Sequence, residues 1–230
     1  ELPGEVFTTR TLATYSYELN NKKAPFDNVN VRKALNLSLD RNVITDKVLG
    51  QGQTPTYVFT PTYIEEGQLI QQPAYSKEPM AQRNEEAIKL LEEAGYSKAN
   101  PLKFSILYNT NENHKKVAIA AASMWKANTK GLIDVKLENQ EWKTYIDSRR
   151  AGRYDAARAG WNADYNQATT FGNYFLSNSS NNTAKYANPE YDKAIAESYV
   201  ATDAEGRAKA YAKAEEILAK DFGIVPIFNY

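Results

Sequence analysis

Along Leu12 to Asn20, Tyr15, Tyr17 and Leu19 alternate with Thr14, Ser16 and Glu18, a period of two that predicts a strand with Glu18 and Ser16 on one face. Pro25 breaks the pattern. Asp27 or Asn28 is then placed to cap a helix whose Val31, Ala34, Leu35 and Leu39 recur at helical spacing. A second helix from about Arg41 to Leu49 should stop at Gly50-Gln51-Gly52. From Gln53 to Pro79 four prolines and little periodicity predict an extended surface connection that walls a cleft. Ala87, Leu90, Leu91 and Ala94 form a helical stripe over Ala81 to Ala94, ended by Gly95. A strand at Leu102 to Tyr108 follows, then a helix at Glu112 to Asn128 with Val117, Ala120, Ala121, Met124 and Trp125 turned inward.

Ile133, Val135 and Leu137 alternate with charged residues, the mark of a half-buried strand. A short helix at Trp142 to Arg150 and a strand at Tyr154 to Gly160 complete a strand-helix-strand-helix-strand order, which predicts an α/β sheet with crossover connections. Ser177 to Thr183 is Asn- and Ser-rich loop, and Pro189 to Tyr199 suits a helix. Thr202-Asp-Ala-Glu205 has the spacing of a capping box for a helix reaching about Lys220. Ile224 to Phe228 closes the chain as an apolar strand, with Pro226 placing it near an edge or an irregularity. Tyr230 comes directly after that strand, as expected of a trimmed chain.

Charge and composition narrow the chemistry. The 28 basic and 28 acidic residues cancel, and no basic block concentrates charge on one face, which argues against a nucleic-acid partner. No apolar run is long enough to cross a bilayer. With no Cys and a single His, thiolate zinc sites, disulfides and most metal or haem sites are unsupported, and no cofactor is expected. Sixteen Tyr and three Trp suit surfaces that bury a ligand while keeping a polar handle, although ordinary packing accounts for many aromatics. The segment Arg158 to Asn166 concentrates this chemistry. Arg158, Trp161 and Asp164 lie close together where a strand opens into a loop, a cation, an indole and a carboxylate on one rigid element.

Several stretches together resemble one family. Phe26-Asp-Asn-Val-Asn-Val-Arg-Lys-Ala-Leu-Asn-Leu-Ser-Leu-Asp-Arg41 with Val48-Leu-Gly-Gln-Gly52, Leu107-Tyr-Asn-Thr110 with His114-Lys-Lys116, Asn139-Gln-Glu-Trp-Lys-Thr144, and Ala157-Arg-Ala-Gly-Trp161 with Ala163-Asp-Tyr-Asn166 are similar to the peptide-binding, family 5 extracytoplasmic solute-binding proteins of ABC importers. The resemblance implies a type II periplasmic-binding-protein-like lobe, a mixed sheet flanked by helices. It covers residues 1–230 as a C-terminal peptide-binding lobe, with the N-terminal lobe and a C-terminal return segment lying elsewhere. It also implies a monomer in the periplasm of a Gram-negative bacterium, delivering short peptides to a membrane permease without making or breaking a bond.

By the same resemblance, main chain around Gly160, Trp161, Asn162 and Ala163 would pair with the peptide as a strand does. Asp164 would accept its ammonium group, against the plainer reading of a turn-forming Asp. Arg158 and His114, read as separated cations, would meet peptide carboxylates at different lengths; the plainer readings are a strand arginine paired with an internal acid and an exposed residue at a helix start. A further family cation expected near Leu49 is absent. Trp142 and Trp161 would line side-chain pockets, with Arg149, Glu18 and Tyr230 as polar liners, Trp142 being the residue that plain packing explains most readily. Some relatives carry a Cys pair where this chain has Ala13 and Asn162, so that cross-link between neighbouring strands cannot form.

Rival readings are a solute-binding lobe for a murein peptide, dipeptide or sugar, and a peptide or glycan hydrolase. The hydrolase has little support. His114 has no recognisable nucleophile or acid motif beside it, and the pairs Glu92-Glu93 and Glu215-Glu216 are expected to face solvent from helices.

Overall fold

The structure is a computed structural model and describes residues 11–230. One six-stranded mixed sheet organises the chain, in the order β2-β6-β1-β5-β3-β4. Its strands are β1 (Ala13–Leu19), β2 (Thr54–Pro55), β3 (Leu102–Asn109), β4 (Ile133–Gln140), β5 (Ala156–Asn162) and β6 (Ile224–Asn229). β1 lies between β5 and β6 and is antiparallel to both, whereas β3 is parallel to β4 and β5. The helices are α1 (Val29–Leu37), α2 (Met80–Glu93), α3 (Glu112–Asn128), α4 (Trp142–Arg150), α5 (Thr169–Gly172), α6 (Pro189–Val200) and α7 (Ala204–Asp221).

The predicted alternation in β1 is real, but both of its faces are covered and every residue from Ala13 to Leu19 is buried. Tyr15, Tyr17 and Leu19 enter a core built with α1, α2 and α3, where Trp125 is fully buried and donates its indole N–H to Leu35 O at 2.9 Å. Burying a side chain of that size contributes roughly 3 kcal/mol, and the hydrogen bond removes the penalty for its polar atom. On the opposite face, Thr14 donates to Phe59 O and Glu18 meets Tyr174, both residues of a second core built with α5, α6 and α7.

Several boundaries and faces differ from the sequence expectations for identifiable reasons. Val43–Leu49 is π-helical, not α-helical, and ends on Gly50 at φ 62°. Residues 53–79 are not a surface connection: Val58, Phe59, Ile64 and Ile70 are buried in the second core. Two backbone N–H groups of that segment, at Phe59 and Thr60, bond the Glu215 carboxylate at 3.2 and 2.6 Å, so Glu215 is buried instead of facing solvent. Burial pushes its pKa up, and the Thr60 and Phe59 hydrogen bonds oppose that. β4 is a sheet edge, which leaves Leu137 exposed. The final helix is capped by Asp203, whose side chain accepts from Gly206 N–H, in place of Thr202. Pro226 lies beside a register shift between Tyr15 and Ser16, the irregularity its missing N–H demands.

β5 begins two residues later than expected and runs through Asn162, so Trp161 belongs to the strand and not to the loop. Ala13 and Asn162 are register partners on β1 and β5. Because paired residues share a face, Arg158 sits with Tyr17 on the side of the first core while Trp161 sits with Thr14 on the other. Strand alternation therefore separates the cation and the indole that sequence proximity suggested were neighbours.

Candidate functional site

The carboxyl ends of β3, β4, β5 and β6 lie together with the amino end of β1 at one edge of the sheet. In open α/β sheets this is the edge at which ligands are bound. Each crossover delivers a side chain to it. Asn109 ends β3 and His114 lies in the first turn of α3; Trp142 opens α4 after β4; Arg158 to Asn162 are the last residues of β5; Tyr230 follows β6. A depression of about 450 Å³ at this edge is lined by Thr11, Trp142, Arg158, Gly160, Asn162 and Tyr230.

Arg158 is the charge in that depression. Its Nη2 donates to the Tyr230 hydroxyl at 3.1 Å and its Nη1 to Asn109 Oδ1 at 3.4 Å, and the guanidinium lies 5.1 Å from the centre of the Tyr15 ring. No acid among the described residues pairs with it, and Arg158 Nε is buried without a partner. A guanidinium keeps its charge at all accessible pH, so among the described residues this site holds a positive charge with no acidic partner, suited to an anion. Gly160 makes the room: a Cβ there would lie 2.6 Å from Arg158 Nη2.

His114 joins the same cluster. Its Nδ1 is 3.1 Å from the Tyr15 hydroxyl, and the two rings are 5.5 Å apart. Burial, with the nearby Arg158 charge, lowers its pKa to about 4, so the ring is neutral at neutral pH. The two residues expected as separate cations thus converge on Tyr15, and one of them carries no charge. Tyr15 itself was not legible as a site residue, because its spacing is that of any inward-facing strand position.

Glu18 and Arg149 are buried against each other on the opposite face of the sheet. Arg149 Nη2 donates to Glu18 Oε1 at 3.1 Å, to Thr183 Oγ1 at 3.2 Å and to Tyr174 Oη at 3.3 Å; Tyr174 donates to Glu18 Oε1 at 2.6 Å, and Thr183 Oγ1 bonds Oε2. Burial disfavours the Arg149 charge, but the Glu18 carboxylate more than offsets it and holds the guanidinium above its ordinary pKa. Trp161 is half-buried beside this cluster, its ring 5.0 Å from Tyr174 and its indole N–H donated to Thr170 O at 2.9 Å. Trp142 is the reverse. It is 57% exposed, touching Tyr145 at 5.6 Å, so plain packing does not account for it.

The free edge of β5 is the remaining element. β5 pairs with β1 along its whole length, but with β3 only at Ala156 and Ala157. Ala163 N–H bonds Leu12 O on the β1 side, and the Tyr145 hydroxyl bonds Arg158 O from the other side. Alternation then turns the backbone groups of Gly160 and Asn162 toward the unpaired edge. Asp164, two residues beyond the strand, is exposed and has no hydrogen bond or ion pair among the described residues. Among the described residues, the site as a whole offers an open strand edge with an unpaired carboxylate just past its end and a cation without an acidic partner beside it.

Known proteins carry similar sequences and the same fold. Residues 3–183 match the family described as bacterial extracellular solute-binding proteins, family 5 Middle. Over all 230 residues the chain is 96% identical to the periplasmic oligopeptide-binding protein OppA of Haemophilus influenzae and 43% identical to the periplasmic murein peptide-binding protein MppA of Escherichia coli, spanning 42% of each. A crystal structure of Haemophilus influenzae OppA in complex with RPPGFSPFR superposes with a TM-score of 0.97 at 95% identity, covering 99% of this chain and 44% of that one. The unliganded open form of MppA superposes at 0.93 with 42% identity, covering 100% of this chain and 44% of that one. The chain belongs to the family 5 bacterial extracellular solute-binding proteins.

Proposed function

We propose that the chain is the C-terminal large lobe of a periplasmic protein of a Gram-negative bacterium that captures short peptides and hands them to the membrane permease of an ABC importer. No bond is made or broken. The observation that carries this reading is the pairing of an open β5 edge with two charges that have no ion-pair partner among the described residues, Asp164 beyond the strand and Arg158 on it. A zwitterionic chain laid along Gly160 to Ala163 finds a main-chain partner, an acceptor for its ammonium and a donor for a carboxylate. Main-chain pairing is indifferent to side chains, so selectivity falls on the ends of the peptide and on Trp142, Trp161, Tyr230 and the Glu18–Arg149 pair as pocket residues. The relatives named for oligopeptide and murein peptide binding support the ligand class. This chain spans 42% of their length, so the rest of such a protein supplies the other wall of the cleft.

Calorimetry on the full-length protein tests the reading. Peptides with a free amino terminus should bind, and acetylation should weaken them about 50-fold, the size of one lost charge-assisted hydrogen bond. Asp164→Asn should produce a similar loss with the free peptide and little further loss with the acetylated one. Equal affinity for free and acetylated peptides would remove Asp164 from the site.

A further inference from the structure

Tyr15 is buried in the first core, and its hydroxyl meets His114 of the first turn of α3 at the edge that carries the candidate site. It meets His114 Nδ1 at 3.1 Å, and the Arg158 guanidinium beside it can donate to the same oxygen but cannot accept its hydrogen. The ring on which that hydroxyl sits is fixed from several sides. Phe228 stacks on it at 4.6 Å, Tyr230 lies 6.2 Å away, and the Arg158 guanidinium lies 5.1 Å from its centre. His114 Nε2, by contrast, makes no hydrogen bond to a described residue, so one ring nitrogen is held and the other is open.

A buried hydroxyl hydrogen without an acceptor is costly. His114 Nδ1 is the acceptor within reach of Tyr15 Oη, and it accepts only when it carries no proton of its own. The alternative tautomer would make Tyr15 an acceptor, strand its hydrogen, and leave a lone pair on the outward Nε2. Burial raises the Tyr15 pKa far above the ordinary phenol value, so the hydroxyl keeps the proton it donates. The groups facing the imidazole are Tyr15 from β1 and Arg158 from β5, with Tyr230 behind Tyr15; Glu112 and Lys115 on α3 itself are exposed.

We propose that Tyr15 is a positioning residue of the ligand site: by donating to His114 Nδ1 it fixes the imidazole as the Nε2–H tautomer and leaves an N–H donor for an anionic ligand group beside Arg158. The inference rests on the peptide reading of the site, and it explains how a histidine lowered to a pKa of about 4 can still serve a carboxylate. Neutral His114 adds no second buried charge next to Arg158. It supplies a directional hydrogen bond, and which nitrogen supplies it is decided by a residue on a neighbouring strand.

Tyr15→Phe in the full-length protein is the test, because it removes one oxygen and keeps the ring that Phe228 and Arg158 pack against. Long-range proton–nitrogen correlation spectra of the ¹⁵N-labelled imidazole, assigned by comparison with His114→Gln, should show a single Nε2–H tautomer in the wild type without peptide. In Tyr15→Phe the two nitrogens should move toward the averaged values of a tautomer mixture. Across a length series of peptides, Tyr15→Phe should bind about tenfold more weakly wherever His114→Gln also weakens binding, and like wild type elsewhere. A wild-type imidazole protonated on Nδ1, a spectrum unchanged by Tyr15→Phe, or a changed spectrum with unchanged affinity at every length would each overturn the proposal. Failure of the wild type to bind any peptide would overturn the peptide reading and the ligand role of Tyr15 with it, a result distinct from the spectra because those need no peptide.

Discussion

Glu18→Ala isolates the charge that the Glu18–Arg149 cluster was built to compensate. Glu18 is 1% exposed and takes hydrogen bonds from Arg149, Tyr174 and Thr183. Removing it leaves Arg149, among the described residues, with the hydroxyl partners Tyr145, Tyr174 and Thr183 and no negative charge in contact. Breaking a buried pair on one side costs about 3–5 kcal/mol, because the remaining ion stays desolvated. In a chain of this size that corresponds to a fall in Tm of roughly 6–20 °C. Arg149→Ala should be comparably destabilising, and Glu18→Ala with Arg149→Ala should be less so than the sum, with a coupling of about 2–3 kcal/mol. Urea denaturation of the four proteins at neutral pH completes the cycle. If Glu18→Ala lost less than about 1 kcal/mol, or if the two single losses simply added, the pair would be hydrated and the reasoning refuted.

Gly160→Ala should weaken peptide binding about tenfold with little change in urea midpoint, because the new Cβ meets the movable end of Arg158 at 2.6 Å and displaces it from Tyr230. The folded pKa of His114, about 4, lies below its ordinary 6.5, so the unfolded chain takes up the proton first as pH falls. Its contribution is complete above pH 6.5 and is lost between about 6.5 and 4. Partial exposure of the ring reduces this to roughly 1–2 kcal/mol, and unfolding free energies from urea denaturation of wild type and His114→Gln at pH 7 and 4.5 should differ in pH dependence by that amount. At the start of α7, Asp203→Ala should cost about 1 kcal/mol and Thr202→Ala almost nothing, since thermal melts report the residue that caps Gly206 N–H.

How much of this was legible beforehand depended on the range of the interaction. The helix at Glu112–Asn128 and the strand beginning at Leu102 are fixed by local periodicity and by caps a few residues away, and they stand where the spacing put them. The burial of Glu215 is not visible in its local sequence because its partners, the backbone N–H groups of Phe59 and Thr60, are contributed by a segment far along the chain that has no periodicity to announce it. The same holds for Arg41, fully buried with its Nε on Pro226 O at 2.6 Å, which nothing in its helical neighbourhood marks as interior.

The candidate site divides along the same line. Sequence by itself determined the α/β class and most of the order of elements, and it nominated Arg158, Asp164, His114 and Trp142 as candidate site residues, because each occupies a short motif whose similarity to a family is readable without coordinates. Tertiary structure alone decided which of them meet. A strand repeats every two residues, so Arg158 and Trp161 went to opposite faces of the sheet although they are neighbours in the chain. Parallel crossovers bring distant strand ends to one edge, so His114 and Arg158 came together on Tyr15 although they are far apart in it. Burial beside that arginine then removed the imidazole's charge and left its hydrogen bond as what it can offer.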